Sequence, residues 1–389
     1  MKKIVILGGG IAGVEAAIFC RKEGFEVELV SERDYLFIYP ISIWIPVSTL
    51  SFEKATLPLS VLARKHRFTL TIDRIQNINR TTKQFTLEKG GLRQEEAVII
   101  AIGAGKIKVQ GAEHTLSICG APEQSKMLKE KIDLLIAQKK GKIAFGFGGN
   151  PKDMSAVRGG PAFELFFNLH YHLKKLGIRE RFELTFFAPM SEPGARMGSN
   201  ALSMLQKIFD TNGFLTRYGK KIKGFNENKV IFEDDSILES DLIMFIPAGS
   251  GHPLVIESDL PKNEAGFIRI DSTCQIEGNS SWYAIGDVAA LEGPDWKAKQ
   301  GHIAEVMARN TAHNLAVAYL GRAGEKLSYH EHLNILCVMD MGNGAGFVYR
   351  DAVKAFLLPM PLIGHWIKQL WGHYYKLTKK GIIPRLPGL

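Results

Sequence analysis

The chain has 389 residues, which exceeds the usual size of one domain, so its length predicts two or three domains. Its 46% hydrophobic and 23% charged residues are typical of a globular protein and exclude a disordered or repetitive chain. Residues 351–389 carry +5 of the net charge of +9, so this end of the chain could contact nucleic acid, anionic lipid or an acidic partner.

The cysteines and histidines are too scattered to predict a metal site or a disulfide framework, and we expect no bound metal. No CxxC spacing occurs among the four cysteines, which are Cys20, Cys119, Cys274 and Cys337. The apolar run after the first lysines has only about four residues, which is too short for a signal peptide. No run of about 18 apolar residues predicts a membrane-spanning helix.

The first predicted unit is a strand, a glycine-rich turn, a helix and a second strand within about 30 residues. Gly8, Gly10 and Gly13 fit a dinucleotide-binding turn between residues 3–7 and the helix. The first glycine turns tightly, the second lets a pyrophosphate approach the backbone, and the third lets the helix pack on the strand. Glu32 ends the second strand, where a carboxylate accepts hydrogen bonds from ribose hydroxyls.

The pattern along the rest of the chain predicts further strands and helices. Residues 35–60 are aromatic and proline-punctuated and are predicted to form a loop, whereas residues 68–90 alternate like antiparallel strands. A second α/β alternation begins near residue 110, and a long helix is predicted at 298–320.

Two further segments favour FAD over NAD as the nucleotide. Residues 98–103 have the pattern of a buried strand that ends beside the cofactor at Gly103. Residues 284–287 have the pattern of a strand whose terminal Asp287 would bond the ribityl chain. We therefore predict an FAD-binding chain.

At this point nearly the whole chain resembles the flavoproteins with two dinucleotide-binding domains. Within them it is similar to the sulfide:quinone oxidoreductase group, which includes the flavocytochrome c sulfide dehydrogenase flavoprotein. Several segments carry this similarity. No single one is decisive, but they occur in the same order as in the group, which is specific. The segments are Tyr39-Pro40 with Trp44-Ile45-Pro46, Ser117–Cys119, Gly160–Glu164, Lys299–Gly301 with Glu305–Met307, Cys337 and residues 371–381.

The resemblance implies site residues, each with a plainer alternative. Cys337 could attack sulfur or the flavin as a thiolate, or be a buried apolar residue. Glu164 could relay protons with a raised pKa, or interact with a helix dipole. Lys299 could place positive charge near the flavin, or be a solvated lysine. The implied catalytic residues are Cys337, Cys119 and Glu164, and the implied FAD contacts are Gly8, Gly10, Ile11, Ala12, Gly13, Glu32, Arg33, Ala101, Gly103, Gly286, Asp287, Lys299, Gln300 and Gly301.

One departure from the family pattern concerns the sulfur chemistry. Sulfide-oxidising members generally carry a cysteine just before the glycine that opens the GPAYE-like helix. Here the corresponding stretch, residues 155–160, contains Arg158 and no cysteine. The electron donor is therefore open, and sulfide or another small sulfur compound is the expectation that the resemblance supports.

Two other functions stay open. Type II NADH dehydrogenases share the fold and reduce quinones, but they need a second glycine-rich turn. In residues 145–151 Pro151 replaces the third glycine and opposes a helix start, which argues against NADH. A non-catalytic FAD-binding interaction protein is the remaining alternative.

The C-terminal segment is predicted to contact a membrane surface. Its apolar residues follow helical spacing with lysines nearby, a pattern typical of interfacial helices, although a helix packed on the protein itself is the alternative. We expect membrane lipids and a quinone as partners, and no nucleic acid. We expect the protein on the cytoplasmic face of the cell membrane, without a signal peptide, and a homo-oligomer is possible. The apolar residues are Ile367, Leu370, Trp371, Tyr374 and Leu377, the lysines are Lys368, Lys376, Lys379 and Lys380, and the expected quinone or membrane contacts are Phe347, Trp366, Trp371 and Tyr375.

The predicted fold class is α/β, with two Rossmann-like dinucleotide-binding domains of the glutathione-reductase type. The second domain is inserted in the first, and a C-terminal membrane-associating region follows. The predicted limits are 1–108 and 244–320 for the FAD domain, 109–243 for the second domain and 321–389 for the C-terminal region.

Overall fold

The computed structural model describes residues 2–278 and 281–385, over most of which strands and helices alternate. The first elements are β1 Lys3–Leu7, α1 Ile11–Lys22, β2 Glu26–Ser31, β3 Tyr35–Phe37, α2 Tyr39–Ser42, β4 Thr56–Pro58, α3 Leu59–His66, β5 Thr69–Ile72, β6 Ile75–Asn79, β7 Gln84–Leu87, β8 Gly91–Gln94, β9 Val98–Ile100 and β10 Gly105–Lys106. The middle elements are α4 Gln124–Gln138, β11 Gly141–Phe147, α5 Gly160–Lys175, β12 Phe182–Ala188, α6 Ser199–Thr211, β13 Leu215–Tyr218, β14 Ile222–Asn226, β15 Lys229–Phe232, β16 Ile237–Glu239, β17 Leu242–Ile246, β18 Gly249–Ser250 and α7 Pro253–Ile256. The last are β19 Trp282–Ala284, α8 Gly301–Leu320, β20 Ile335–Asp340, β21 Gly344–Arg350, β22 Ala355–Pro361 and α9 Ile363–Lys379.

A five-stranded parallel sheet forms the first layer, in the order β19-β9-β1-β2-β5. The apolar run of β1 is buried because strands lie on both of its edges and helices cover its faces. The carboxyl ends of these parallel strands meet at one edge, and ligands of such sheets bind in the crevice beyond that edge.

The loop predicted at residues 35–60 is wrong in part. β3 pairs antiparallel with β4, and α2 lies between them. The two strands have three residues each and lie far apart in the sequence, so no local alternation marks the pair.

A second parallel sheet, in the order β13-β12-β11-β17, forms the middle of the chain. Phenylalanines fill its core, and the rings of Phe163 and Phe186 stack with centroids 4.4 Å apart. The predicted domain limit between residues 243 and 244 falls inside β17. That one limit therefore divides a strand, and the predicted limits as a set stay a proposal.

The C-terminal residues form a three-stranded antiparallel sheet, β20-β21-β22, followed by α9. Leu362, with a φ of +61°, turns the chain from β22 into α9. Gly364 faces the backbone of Ala345 so closely that an added Cβ would lie 2.5 Å from the Ala345 side chain, which lets α9 pack on β21. Within residues 2–278 and 281–385, no helix has the length and hydropathy needed to cross a bilayer.

Candidate functional site

A cavity of about 2220 Å³ lies at the carboxyl edge of the first sheet. Its wall includes the chain directly after β1, β2, β9 and β19, which are the positions where a doubly wound sheet binds its ligand. The expected FAD contacts all border it except Gly13. The bordering contacts are Gly8, Gly10, Ile11, Ala12, Glu32, Arg33, Ala101, Gly103, Gly286, Asp287, Lys299, Gln300 and Gly301.

The turn after β1 has the geometry that a pyrophosphate needs. Gly8 has a φ of +113°, and an added Cβ would lie 2.4 Å from the carbonyl oxygen of Ala101. Gly13 faces away from the cavity, and its added Cβ would lie 1.8 Å from the carbonyl oxygen of Gly8. No side chain caps the N-terminus of α1 at Gly10, so the first amides are open to a phosphate. The residues present therefore fit FAD.

Lys299 is not the solvated lysine that the sequence left open. Only 6% of it is exposed, its Nζ donates to the carbonyl oxygen of Ala289, and the ammonium lies 4.0 Å from the ring centroid of Phe267. Burial lowers the pKa of Lys299 to about 7. Its role as a cofactor contact stays a prediction.

Two of the four cysteines border the cavity. Cys119 and Cys337 lie on its wall, whereas Cys20 and Cys274 are fully buried in the core, and all four are unbridged thiols. Burial raises the pKa of Cys337 to about 12. Burial also raises the pKa of Cys119, and the charges of Arg158 and Lys106 oppose that rise.

Glu164 lies inside α5 and is bonded to two other elements. Lys368 of α9 donates to its carboxylate, and the backbone N–H of Asp340 donates to Oε1 at 2.9 Å. Burial raises the pKa of Glu164 even though the Lys368 ammonium opposes that rise. The helix-dipole alternative is therefore insufficient, because the carboxylate lies in the interior, bonded to Lys368.

A second polar cluster lies beside Glu164, around the Asp340 carboxylate. Asp340 is fully buried and accepts from the Trp44 indole, and His365 Nδ1 lies 2.9 Å from its Oδ1. The other ring nitrogen of His365 lies 2.8 Å from Gln369 Nε2. This cluster fastens α9 to β20, the strand that carries Cys337.

Arg158 belongs to the stretch in which the family pattern has a cysteine, and it borders the cavity. Its guanidinium donates to the carboxylate of Asp287, the residue expected to bond the ribityl chain. The Arg158 charge also acts on the Cys119 thiol, whose pKa it lowers against the effect of burial. The departure seen in the sequence thus places a cation, rather than a second thiol, beside Cys119.

The second glycine-rich segment does not form a dinucleotide turn. β11 ends at Phe147 and α5 begins only at Gly160, as the proline in this segment predicted. Arg196 holds the intervening loop by donating to the carbonyl oxygens of Met154 and Val157, both at 2.6 Å. The loop borders the cavity and separates the end of β11 from the start of α5.

Part of the predicted lipid-facing surface is wrong. Lys368 and Lys379 are buried, at 6% and 2% exposure, and both form ion pairs inside the protein. Trp366 is 63% exposed and lies outside the cavity wall, whereas Tyr375 is buried. Phe347, Trp371 and Tyr375 border the cavity, so their quinone role stays a prediction.

The inward face of α9 agrees with the alternative of a helix packed on the protein itself, although its residues were not predicted. Gly364, Lys368, Gly372, Tyr375 and Lys379 recur at helical spacing and are all buried. Small residues on one stripe of a helix indicate close packing, so the lysines on the same stripe had to find partners inside. The partners themselves come from other elements and could not be identified locally.

This fold and this cavity define an FAD-dependent oxidoreductase of the class with two nucleotide-binding-type parallel sheets. Residues 2–314 match the pyridine nucleotide-disulphide oxidoreductase family, and the chain belongs to that family. The FAD predicted from the glycine turn is confirmed as the cofactor.

Individual relatives agree with the resemblance seen in the sequence. The chain is 27% identical to the sulfide-quinone reductase of Aquifex aeolicus (strain VF5) in an alignment 402 positions long. The alignment covers 96% of this chain and 88% of the relative. The solved sulfide:quinone oxidoreductase of Aquifex aeolicus superposes with a TM-score of 0.85 at 22% identity, over 99% of this chain and 93% of that one. NDH2 from Plasmodium falciparum, solved with NADH, superposes with a TM-score of 0.77 at 12% identity. The match covers 97% of this chain and 96% of that one. At these identities the structural likenesses establish the fold alone.

Proposed function

We propose that this flavoenzyme oxidises sulfide, or a related small sulfur compound, and passes two electrons through FAD to a membrane quinone. The observation that carries the proposal is that Cys119 and Cys337 both border the cavity defined by the FAD-binding turn. The identity to a sulfide-quinone reductase over 96% of the chain supports the same donor and acceptor.

On the donor side, the two cysteines would hold sulfur at the cavity wall. FAD, when bound, supplies the two-electron chemistry, and the chain supplies position, charge and protons. Both thiols are protonated at neutral pH because burial raises their pKa. A thiolate therefore forms only where nearby positive charge offsets the burial, which favours Cys119 beside Arg158.

On the acceptor side, Glu164 and Lys368 are the proposed proton carriers. Reduction of a quinone to a quinol consumes two protons, and both groups border the cavity in direct contact with each other. The raised pKa of Glu164 favours the protonated carboxyl, which could deliver its proton to the quinone. Phe347 and Trp371 border the same cavity and would flank the quinone ring.

An apolar surface on β22 and α9 is the proposed membrane contact. Trp366, Leu370 and Ile363 on α9 are each more than 60% exposed, and large apolar residues of β22 continue the surface. Monomeric soluble proteins rarely expose such a contiguous patch without a partner. We propose that it lies in the headgroup region of a membrane, on the cytoplasmic face, and that a homo-oligomer is compatible with this arrangement. The surface, called the C-terminal apolar face below, consists of Phe356, Leu358, Leu362, Ile363, Trp366, Ile367, Leu370 and Leu377.

An NADH:quinone oxidoreductase is the second candidate, since a fold solved with NADH superposes over 97% of the chain. The loop fixed by Arg196 between β11 and α5 opposes it, because β11 does not lead through a short glycine turn into a helix, as a second dinucleotide turn requires. A non-catalytic FAD-binding protein would bind the cofactor but show no turnover with either donor.

Anaerobic stopped-flow absorbance of the flavin tests the proposal. Sulfide is expected to bleach the flavin of the purified holoenzyme, and a short-chain quinone is expected to restore its colour. If sulfide leaves the flavin oxidised while NADH bleaches it, the NADH alternative replaces the proposal. If neither donor bleaches it, the non-catalytic alternative does.

A further inference from the structure

Two cations and one thiol share a part of the cavity wall that the FAD motifs do not account for. Lys106 lies at the end of β10, Arg158 precedes α5, and Cys119 lies in the loop before α4. Gly249, the strand partner of Lys106, lies against the backbone of Ala156, two residues before Arg158. The charges of both cations act on the Cys119 thiol. Three separate segments therefore converge on one point.

The backbone around these groups is fixed. Lys106 pairs with Gly249 of β18, and the Gly249 carbonyl oxygen accepts from Asn150 Nδ2 at 2.9 Å. The Tyr39 hydroxyl donates to the carbonyl oxygen of Gly120 at 3.0 Å, which holds the chain beside Cys119. The cluster is thus preorganised by neighbouring strands and loops.

The carboxylates near the cluster are already paired with cations, Asp287 with Arg158 and Glu164 with Lys368. Within residues 2–278 and 281–385, Lys106 has no carboxylate within ion-pair distance, and Arg158 has only that of Asp287. Lys106 and Arg158 carry like charges and both border the cavity, so they repel each other there. An anion between them would offset that repulsion.

We propose that Lys106 and Arg158 form an anion site beside Cys119, which binds the electron donor as the hydrosulfide anion rather than as neutral hydrogen sulfide. The site rests on the proposed function for the identity of its ligand, but its charge can be tested without turnover. Arg158 would then replace the missing second thiol with a group that attracts the donor instead of bonding it covalently.

Alkylation of Cys119 in the FAD-loaded enzyme measures this charge. Iodoacetate is an anion, iodoacetamide is neutral, and the two have nearly the same size. Both react with the thiolate, so the thiolate fraction cancels in the ratio of the iodoacetate rate to the iodoacetamide rate. The ratio therefore reports how strongly the surrounding charge attracts an anion. We expect this ratio at Cys119, followed by mass spectrometry of its peptide, to exceed that of a small free thiol about tenfold. Tenfold corresponds to about 1.4 kcal/mol.

Substitutions locate the source of the field. Arg158→Gln and Lys106→Gln should each lower the ratio several-fold, whereas Arg158→Lys should keep most of it. Lys108→Gln, an exposed lysine two residues from Lys106, is the matched control and should change little. The flavin content per chain shows which variants keep the cofactor site. If Arg158→Gln does not fold, the comparison of Lys106→Gln with Arg158→Lys still tests the anion site.

Several outcomes would overturn the anion site. A native ratio equal to that of the free thiol would do so, as would a ratio unchanged in both glutamine variants or lowered equally by Lys108→Gln. A high ratio that depends on both cations, together with a flavin that sulfide does not reduce, would keep the anion site and reject the proposed donor. The two failures are therefore distinguishable.

Discussion

Glu164 and Lys368 show at the scale of single residues why a buried ion pair has to be treated as a unit. Lys368→Met would leave the Glu164 carboxylate buried without its countercharge, and removing one partner of such a pair costs about 3–5 kcal/mol. We expect a loss of about 3 kcal/mol in the free energy of unfolding, measured with urea on the holoenzyme. The pKa of Glu164, already raised by burial, should rise further because Lys368 opposes that rise.

Two further variants control this experiment. Lys376→Met removes a half-buried lysine of the same helix that has no ion pair within the described residues, and should change stability by less than about 0.5 kcal/mol. Glu164→Gln combined with Lys368→Met should recover much of the loss, since no buried charge is left unpaired. Equal losses in Lys368→Met and Lys376→Met would contradict the interior pair.

The Cys337 thiol allows a prediction about pH. Its pKa of about 12 lies above that of an ordinary thiol, so only a small thiolate fraction exists at neutral pH and this fraction grows throughout the alkaline range. Between pH 7.5 and 9.5 its rate of alkylation by iodoacetamide should rise about 100-fold, against about tenfold for a free thiol that titrates near 8.5. A plateau below pH 9 would show that Cys337 is an activated thiol instead.

Single residues also show the limit of the sequence. Gly8 was placed by its glycine spacing, which is a local pattern, whereas Cys119, Cys337 and Glu164 were implied by the resemblance to a family. Lys368, 204 residues away from Glu164, was assigned to lipid because its interior partner belongs to another part of the chain. Such pairings exist only in the folded chain, so no local pattern specifies them.

At the scale of elements, α9 is fastened to the FAD-binding sheet by buried charges. Lys379 donates to Glu15 of α1 and, at 2.5 Å, to Glu305 of α8. His66 of α3 contacts the carbonyl oxygen of Lys379 at 2.6 Å. Since α1 begins at the glycine turn and α8 at Gly301, the C-terminal helix is packed on the two helices that border the cofactor cavity.

Lys379→Met should therefore weaken the whole FAD-binding part and not only membrane attachment. It would leave Glu15 and Glu305 with less countercharge in the interior, and we expect a loss of about 3 kcal/mol, with flavin released at a lower temperature. Lys380→Met, at the adjacent half-buried position, is the control. The prediction fails if both variants release flavin, monitored by its fluorescence on heating, at the same temperature.

Local patterns predicted some elements better than others. The parallel strands β1, β9 and β11 are short apolar runs followed by glycine, which the sequence shows directly. The pair β3 and β4 was missed because its two strands meet only through the fold. Cutting the chain before α9, which treats the tail as a removable anchor, would expose the partners of Lys368 and Lys379 and confound lipid binding with unfolding.

At the scale of the whole molecule, α9 contributes both to the cofactor cavity and to the C-terminal apolar face. Ile367 and Leu370 belong to both, because they are exposed and also border the cavity wall. A quinone moving from a bilayer into the cavity would thus pass along a surface that the membrane itself covers. If the C-terminal apolar face lies on a bilayer as proposed, this placement would link attachment to turnover.

Vesicle binding tests this arrangement at the scale of the whole molecule. Replacing Trp366 and Leu370 by serine removes two side chains that are more than 60% exposed and should lower cosedimentation with lipid vesicles at least tenfold, since burying each is worth about 1.5–3 kcal/mol at most. Leu134→Ser, a 58% exposed leucine on α4, should have no effect. Because Lys368 and Lys379 are paired inside, binding should depend on this apolar face more than on anionic lipid. If removing anionic lipid abolishes binding while the serine pair does not, the apolar face is not the membrane contact.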